Sequence, residues 1–307
     1  MIDPLIKATP WVTRIGHEMT FLPTIKISIN EKNTVLSTIL NSTYLVYKKK
    51  LEKLRIKYDK LLQIKKIKHH KCYIDNHVVE ITSEPIKSWT AFINWNKEIR
   101  KLAKQVNLTP EVDWVGGGMG HHHIDYQEPA VLDNLFRIVA ARPYLAWIFV
   151  HPSDKINAIS LASWFVDIKS KHSWFEKSPL YFSPSSFNYI YPEGKGQVIS
   201  VRDNYHYKTI EWRGFDAAVD MKMQVEHTAF LQALVKYAQD TATTKKRTGL
   251  FKSVKVAKKL LNDYATDFDK CAEDFYKLIK VLGLPKERYE RYVETNLKFR
   301  IEWKTTI

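Results

Sequence analysis

Three predicted β-strands of this 307-residue chain each carry one glutamate among apolar residues. The stretches RIGHEMTF, HVVEITS and TIEWR are rich in β-branched and aromatic residues, which favours strand, and they contain Glu18, Glu80 and Glu211. An ionised carboxylate buried in such a strand needs a cation or hydrogen-bond donors, because burial without a partner is prohibitive. The fold must therefore bring positive charge or a metal ion to these strands.

A histidine run, GGGMGHHHID, lies between the second and third of these strands. Side chains alternate along a strand, so His121 and His123 would share one face and His122 would point to the other. Such a pair can hold a metal or a phosphate, although neighbouring histidines are more often ordinary surface or core residues. The glycines at 116–118 either let the backbone approach a nucleotide or form the turn into the strand, and the turn is the favoured interpretation.

The strand TIEWR places Glu211 and Arg213 on one face, with Ile210 and Trp212 on the other. By itself this pattern also fits a cross-strand ion pair on an exposed sheet face. Combined with the histidine pair and the other two carboxylates, it favours a site for a hard cation and a phosphate group.

A lysine-rich helix is predicted at residues 44–71, where apolar residues recur at steps of three and four. The segment carries eleven Lys or Arg against Glu52 and Asp59. Three interpretations stay open: a solvated face of a packed helix, a docking surface for an anionic partner, and a coiled-coil-like seam that pairs with a second chain in an oligomer. Further helices are predicted from Ile86, from Pro129, after Phe215 and after Gly249.

The composition bounds the class of protein. A hydrophobic fraction of 45% supports a sizeable core, and the small numbers of Gly and Pro argue against a disordered chain. No sustained apolar run reaches membrane-spanning length, the N-terminus lacks a secretory pattern, and two distant cysteines form no disulfide framework, so we expect a cytoplasmic protein without membrane contact. The net charge of +15 favours anionic partners.

The motifs RIGHEMTF, IDNHVVEITSEPI, GMGHHHID and RDNYHYKTIEWRGFDAA, followed by a long helix, resemble the amidoligase family of carboxylate-amine ligases, relatives of glutamine synthetase. The resemblance covers residues 14–240. It implies an α+β fold with a curved, mostly antiparallel sheet of the glutamine synthetase catalytic-domain type and helices on its outer face. We expect a catalytic unit at 1–248, with the basic helix 44–71 inserted, and a C-terminal helical extension at 249–307 packed on it.

The resemblance also implies an ATP- and Mg²⁺-dependent (or Mn²⁺-dependent) ligase that joins a small carboxylate to an amine through an acyl phosphate. In the family the matching positions give the metal ligands Glu18, Glu80, His121 and Glu211, with Asp75 as a further contact. Arg213 and Arg202 match groups that face phosphate, nucleotide or substrate, His123 would face substrate or phosphate, and the backbone at Gly118 and Gly120 would adjoin the nucleotide.

One position departs from the family pattern. Thr20 stands where a second glutamate is usual, so one metal site lacks an anionic ligand unless Asp75 or another carboxylate replaces it. Two alternatives to the enzyme stay open. Thr20 favours a degenerate member of the fold that serves as a structural component, and the lysine-rich helix with exposed aromatic residues favours a basic nucleic-acid-binding protein.

Overall fold

The computed structural model describes residues 3–23, 43–75, 78–110, 120–140, 199–204, 207–212, 220–242 and 268–294, with a few single positions between them. The aromatic segment predicted as loops at 151–198, the glycines at 116–118 and Arg213 lie outside the described residues. So does the first part of the helical region predicted after Gly249.

Within the described ranges, seven strands form one antiparallel sheet in the order β2-β3-β1-β5-β7-β6, and β4 pairs with the end of β1. The strands are β1 (Ile15–Pro23), β2 (Lys71–Asp75), β3 (Val78–Thr82), β4 (Leu108–Pro110), β5 (His122–Asp125), β6 (Ile199–Asn204) and β7 (Tyr207–Trp212). The predicted combination of helices with an antiparallel sheet is confirmed, and the curvature of the sheet stays a prediction.

The register brings the chemically interesting side chains to one face of the sheet. Thr20 of β1 lies opposite Glu80 of β3, and Glu18, two residues earlier, shares the face of Thr20. Further across the sheet, His123 of β5 lies opposite Glu211 of β7. We call this side of the sheet the polar face.

The described residues include six helices and a short 3₁₀ segment beside the sheet. They are α1 (Pro4–Ala8), α2 (Thr43–Ile64), α3 (Trp89–Gln105), α4 (Pro129–Ala140), α5 (Met221–Thr241), α6 (Phe268–Val281) and the 3₁₀ turn Lys286–Arg288. Side-chain caps fix two of the helix starts, since Ser88 accepts a hydrogen bond from the Ala91 backbone and Asp220 accepts one from that of Met223. Among the described helices, none combines the length and apolarity that crossing a membrane demands.

Helices α2 and α3 pack on the apolar side of β1, β2 and β3. Leu51, Tyr58 and Leu62 of α2 are fully buried in one hydrophobic cluster with Phe21 and Val79 of the sheet. The seam predicted from the spacing of apolar residues thus contacts the sheet of its own chain.

Helices α4, α5 and α6 share a second, larger cluster with the other half of the sheet. Phe275 of α6 is buried in the same cluster as Phe230 of α5 and Trp212 of β7. The described part of the C-terminal region therefore contributes to the main hydrophobic core. The division at residue 248 stays a prediction.

A buried ionic network fastens this C-terminal region to α5. Glu226 is fully buried, its Oε1 accepts a hydrogen bond from Arg288 Nε at 3.0 Å, and its Oε2 accepts bonds from Arg291 and from the Tyr292 hydroxyl. Arg288 also contacts both carboxylate oxygens of Asp3 at 2.9 and 3.0 Å. The network thus joins Asp3, near the start of the described chain, and Arg288 and Arg291, near its end, to α5.

Replacing Glu226 with Gln is expected to lower the free energy of unfolding by about 3 kcal/mol, because two guanidinium groups lose their buried counter-charge. Urea unfolding measures the change. As a matched control, Glu273→Gln removes a pair with Lys277 in which both side chains are more than 60% exposed, and it should cost under about 0.5 kcal/mol. Equal losses in the two variants would contradict the role of the network.

Three histidines lie on the buried side of the sheet, beneath the polar face. His17, His122 and His227 are fully buried, and the His17 and His122 rings lie 4.7 Å apart. His227 stacks on Phe215 at 4.1 Å, and neither of its ring nitrogens has a hydrogen-bond partner among the described residues. Burial, reinforced by His122 and the charge of Arg291, holds the pKa of His227 well below its usual range.

The low pKa of His227 predicts a loss of stability in acid. The unfolded chain binds a proton at this residue below pH 6.5 and the folded chain does not, so stability falls as the pH drops through that value. The variant His227→Leu removes this contribution. Urea unfolding between about pH 7 and pH 5 should show wild type losing about 1.4 kcal/mol more per pH unit than the variant once the pH is below 6.5. Parallel pH profiles would show that His227 does not titrate in this way.

Candidate active site

Glu18 lies at the centre of the polar face and contacts two histidines, His123 in β5 and His121 just before it. The backbone N–H of Glu18 donates to the carbonyl of His121 at 3.0 Å, which sets the two residues side by side. His121 Nδ1 lies 2.6 Å from Glu18 Oε2, and His123 Nε2 lies 2.9 Å from Glu18 Oε1. Both carboxylate oxygens are therefore held by imidazoles, and the predicted sharing of one face by His121 and His123 is seen in the geometry.

Glu211 of β7 completes the group from a third strand. Its side chain is buried, and its Oε1 lies 3.6 Å from His121 Nδ1. One ligand atom each of Glu18, His123 and Glu211 all lie within 4.8 Å of one another. These three residues, which we call the metal trio, can place their ligand atoms around one ion.

His121 and His123 differ in what they contact. His123 Nδ1 lies 3.2 Å from the hydroxyl of Thr209, so its ring is oriented from β7 while Nε2 faces Glu18. His121 contacts both Glu18 and Glu211 through Nδ1, and its buried Nε2 has no hydrogen-bond partner among the described residues. A buried nitrogen without a partner on this face is consistent with a ligand that completes the site.

Glu80 forms the neighbouring part of the polar face. The Tyr73 hydroxyl of β2 donates a hydrogen bond to Glu80 Oε1. Burial, with the negative charge of Glu18 nearby, raises the pKa of Glu80 to about 8. Thr20 lies opposite Glu80, and its buried hydroxyl oxygen has no partner among the described residues.

The two carboxyl groups have opposite electrostatic surroundings. Burial alone would raise the pKa of Glu18, but the hydrogen bonds with His121 and His123 hold it well below its usual range. Glu18 is thus anionic at neutral pH, while a pKa of about 8 favours the protonated form of Glu80 there. A divalent ion beside them would favour the ionised form of both.

The remaining predicted site residues are distributed as follows. Asp75 is exposed at the end of β2, and the alternation along that strand puts it on the face of Tyr73. The backbone of Arg202 lies in β6 opposite Thr209, which itself faces His123. Gly120 immediately precedes the histidines, and its N–H donates to the Phe215 carbonyl at 3.0 Å. Gly118 and Arg213 are outside the described residues.

Sequence reasoning missed two residues that organise this face, Tyr73 and Thr209. The period-two pattern could have found both, because Tyr73 shares its strand face with Asp75 and Thr209 shares its face with Glu211. What the pattern could not give is the pairing of strands, which decides that Tyr73 meets Glu80 and that Thr209 meets His123.

Among solved structures, the fold is similar to apo GmaS, a gamma-glutamylmethylamide synthetase, with a TM-score of 0.52 and 9% identity over 99% of this chain and 72% of that one. This likeness shows that the two proteins share a fold. A second similarity, to the ligase PafA in complex with the prokaryotic ubiquitin-like protein Pup, has a TM-score of 0.41 and 10% identity, covers 96% of this chain and 64% of that one, and carries no argument at that score. Neither a protein-family model nor a curated protein matches the sequence.

The donor set of the metal trio fits a divalent ion. Carboxylate oxygens suit Mg²⁺ and Mn²⁺, and an imidazole nitrogen is a better ligand for Mn²⁺ than for Mg²⁺. Mn²⁺ is therefore a suitable probe because it is paramagnetic and accepts both kinds of donor.

We expect Glu211→Gln to weaken Mn²⁺ binding at least about tenfold, because the amide removes one of two anionic ligands while keeping the size of the side chain. Electron paramagnetic resonance of free Mn²⁺ measures the affinity. The control is Glu84→Gln, which changes an exposed carboxylate in the loop after β3 and should leave the affinity unaltered. Equal affinities of Glu211→Gln and wild type would remove Glu211 from the metal trio.

Proposed function

We propose that the protein is an ATP- and Mg²⁺-dependent ligase that forms an amide bond between a small carboxylate and an amine. The observation that carries the proposal is the metal trio, in which Glu18, His123 and Glu211 converge from three strands on the polar face. The ligase-type fold seen in GmaS supports it.

The reaction explains why such a site is needed. A substrate carboxylate oxygen attacks the γ-phosphorus of ATP, ADP leaves, and an acyl phosphate forms. The amine nitrogen then attacks the acyl carbon, phosphate leaves, and the amine loses a proton. Four anionic groups, three phosphates and one carboxylate, must be gathered before either step, and oxygen-rich metal sites commonly compensate such charge.

In this proposal the trio holds Mg²⁺, which would neutralise phosphate charge when bound. Glu18 supplies a permanent anion because two imidazoles keep it ionised. His121, with its unpartnered Nε2, and Glu80, positioned by Tyr73, would contribute a second set of donors. Asp75 is a further proposed contact, exposed at the edge of the same face.

The trio revises the order of the histidines that the family resemblance implies. The resemblance makes His121 the ligand and His123 the residue that faces substrate or phosphate. The described geometry favours His123 as the third ligand of the ion held by Glu18 and Glu211, and leaves His121 Nε2 to face a second ion, phosphate or substrate. Both histidines stay within the proposed site.

The phosphate groups would be held by arginine and by backbone donors. Arg213 follows Glu211 by two residues in the sequence, and Arg202 belongs to the neighbouring strand β6, where it lies opposite Thr209. A guanidinium gives two parallel donors to a phosphoryl group, and removing one such stabilising group commonly costs about 10² to 10³ in rate. Gly118 and Gly120 are the proposed backbone neighbours of the nucleotide.

Thr20 does not remove the basis of the proposal. The carboxylate missing at this position lies outside the metal trio, and Glu80 stands directly opposite Thr20 on β3. A site with three strand-borne ligands can therefore form without a second glutamate in β1.

ADP release in the presence of Mg²⁺, with panels of carboxylates and amines, tests the activity. We expect release that requires both a carboxylate and an amine, and a fall of more than about 10³-fold in the double variant Glu211→Ala and Arg213→Ala. The exposed-site variant Glu84→Gln should keep full activity.

Two outcomes would contradict the proposal. ATP turnover that survives the double substitution would show that these residues do not form the site. Calorimetry that detects no Mg-ATP binding at millimolar Mg²⁺ would instead indicate a structural member of the fold.

A further inference from the structure

We propose that the outer face of α2 binds the phosphate backbone of duplex nucleic acid. This face, which we call the lysine face, is formed by Lys49, Lys53, Lys57 and Lys60, all of them exposed. This proposal does not depend on the proposed ligase function, since none of these four lysines belongs to the polar face.

The spacing of the four lysines follows one side of the helix. Steps of four, four and three residues place successive side chains one above another, opposite the buried Leu51, Tyr58 and Leu62. At 1.5 Å per residue the four span roughly 16 Å along the helix axis. One strand of a duplex presents a phosphate about every 3.4 Å of its axis, so the face matches about five successive phosphates.

The acidic residues of segment 44–71 do not neutralise the positive charge of the lysine face. Its two acidic residues already have partners, since Glu52 Oε1 accepts from Arg55 Nη2 at 2.6 Å and Asp59 Oδ1 lies 3.2 Å from His69 Nε2. Among the described residues, no ion pair involves the four lysines. Further exposed lysines follow the helix and extend the same basic surface, at Lys65, Lys66, Lys68 and Lys71.

The burial pattern selects nucleic acid over a membrane surface. A helix that lies in a bilayer interface inserts its apolar side, and the apolar side of α2 is buried against the sheet. Among the described side chains of α2, the exposed large apolar residues are Ile56 and Ile64, which are separated by about two turns of the helix. The contact is therefore electrostatic, as expected for a phosphate backbone.

The scarcity of aromatic residues selects a duplex over a single strand. Proteins that hold single strands commonly stack bases on exposed aromatic rings. Within the described part of residues 43–75, Tyr73 is the large exposed aromatic side chain, and its hydroxyl is engaged with Glu80. Among the side chains of α2 that the structure describes, lysines are exposed and no aromatic ring is, which fits paired bases, whose phosphates face outward.

The basic surface continues to the edge of the polar face. Lys71 begins β2 and lies opposite Thr82 of β3, which in turn lies opposite Glu18 of β1. Two strand spacings separate Lys71 from Glu18, or about 10 Å. A duplex on the lysine face would therefore run beside the edge of the sheet that carries the candidate active site.

Fluorescence anisotropy with a labelled duplex of roughly 20 base pairs tests the proposal, with the affinity measured over a range of salt concentrations. Wild type should bind with a steep salt dependence. The variant Lys49→Gln, Lys53→Gln, Lys57→Gln and Lys60→Gln should bind at least about tenfold more weakly at low salt, and the slope of log affinity against log salt should become shallower by about 3 to 4.

A control variant separates the surface from the net charge. This control removes the same number of charges, four, from exposed positions outside α2, with the substitutions Lys7→Gln, Lys87→Gln, Lys222→Gln and Lys280→Gln. Its slope of log affinity against log salt should stay within about one unit of wild type. Equal losses in both variants overturn the proposal. Circular dichroism and urea unfolding establish that both variants are folded.

Two further results would overturn the choice of ligand. A single strand of the same length that binds as tightly as the duplex contradicts the preference for paired nucleic acid. Binding to phosphatidylserine vesicles that is lost in the α2 variant, without any binding to the duplex, would assign the surface to a membrane.

Discussion

The arrangement of the polar face depends on Glu18, whose two carboxylate oxygens are held by His121 and His123. A carboxylate that is mostly buried needs such partners, and here the neighbouring strand supplies both of them. His121 Nδ1 also lies 3.6 Å from Glu211 Oε1, and one ligand atom each of Glu18, His123 and Glu211 lie within 4.8 Å of one another, so Glu18 lies where β1, β5 and β7 meet. This convergence is the basis of the proposed divalent-cation site, since the charge of such an ion would stabilise two carboxylates at once.

The two faces of the sheet differ: one carries the polar side chains of the candidate site, and the other packs against the helices. On the polar face, glutamate and histidine side chains approach one another, while on the opposite face Phe21 and Trp212 join hydrophobic clusters with the helices. The buried network around Glu226 lies in α5, where it binds Arg288 and Arg291 of the C-terminal region. Substitutions on the outer surface of a helix, such as the lysine face of α2, are therefore expected to leave the side chains of the polar face in place.

Much of the site could be predicted from alternation along single strands. The rule of period two placed His121 and His123 on one face and His122 on the other, as the structure shows, and His122 is buried there. The carboxylates Glu18, Glu80 and Glu211 were singled out by the apolar residues around them. Strand order and register are long-range properties, so the contact of Tyr73 with Glu80 was not accessible. The partners of α6 in the main core could not be predicted for the same reason. Amphipathic spacing shows that a helix has a packing face, and it does not show which elements that face contacts.

The most direct measurement for the central claim is anomalous diffraction from a crystal soaked with Mn²⁺. The account predicts one strong peak on the polar face at about 2.0 to 2.3 Å from an oxygen of Glu18, a nitrogen of His123 and an oxygen of Glu211. A well-ordered site with no peak there, or a peak held by other residues while these three keep their mutual contacts, would contradict it.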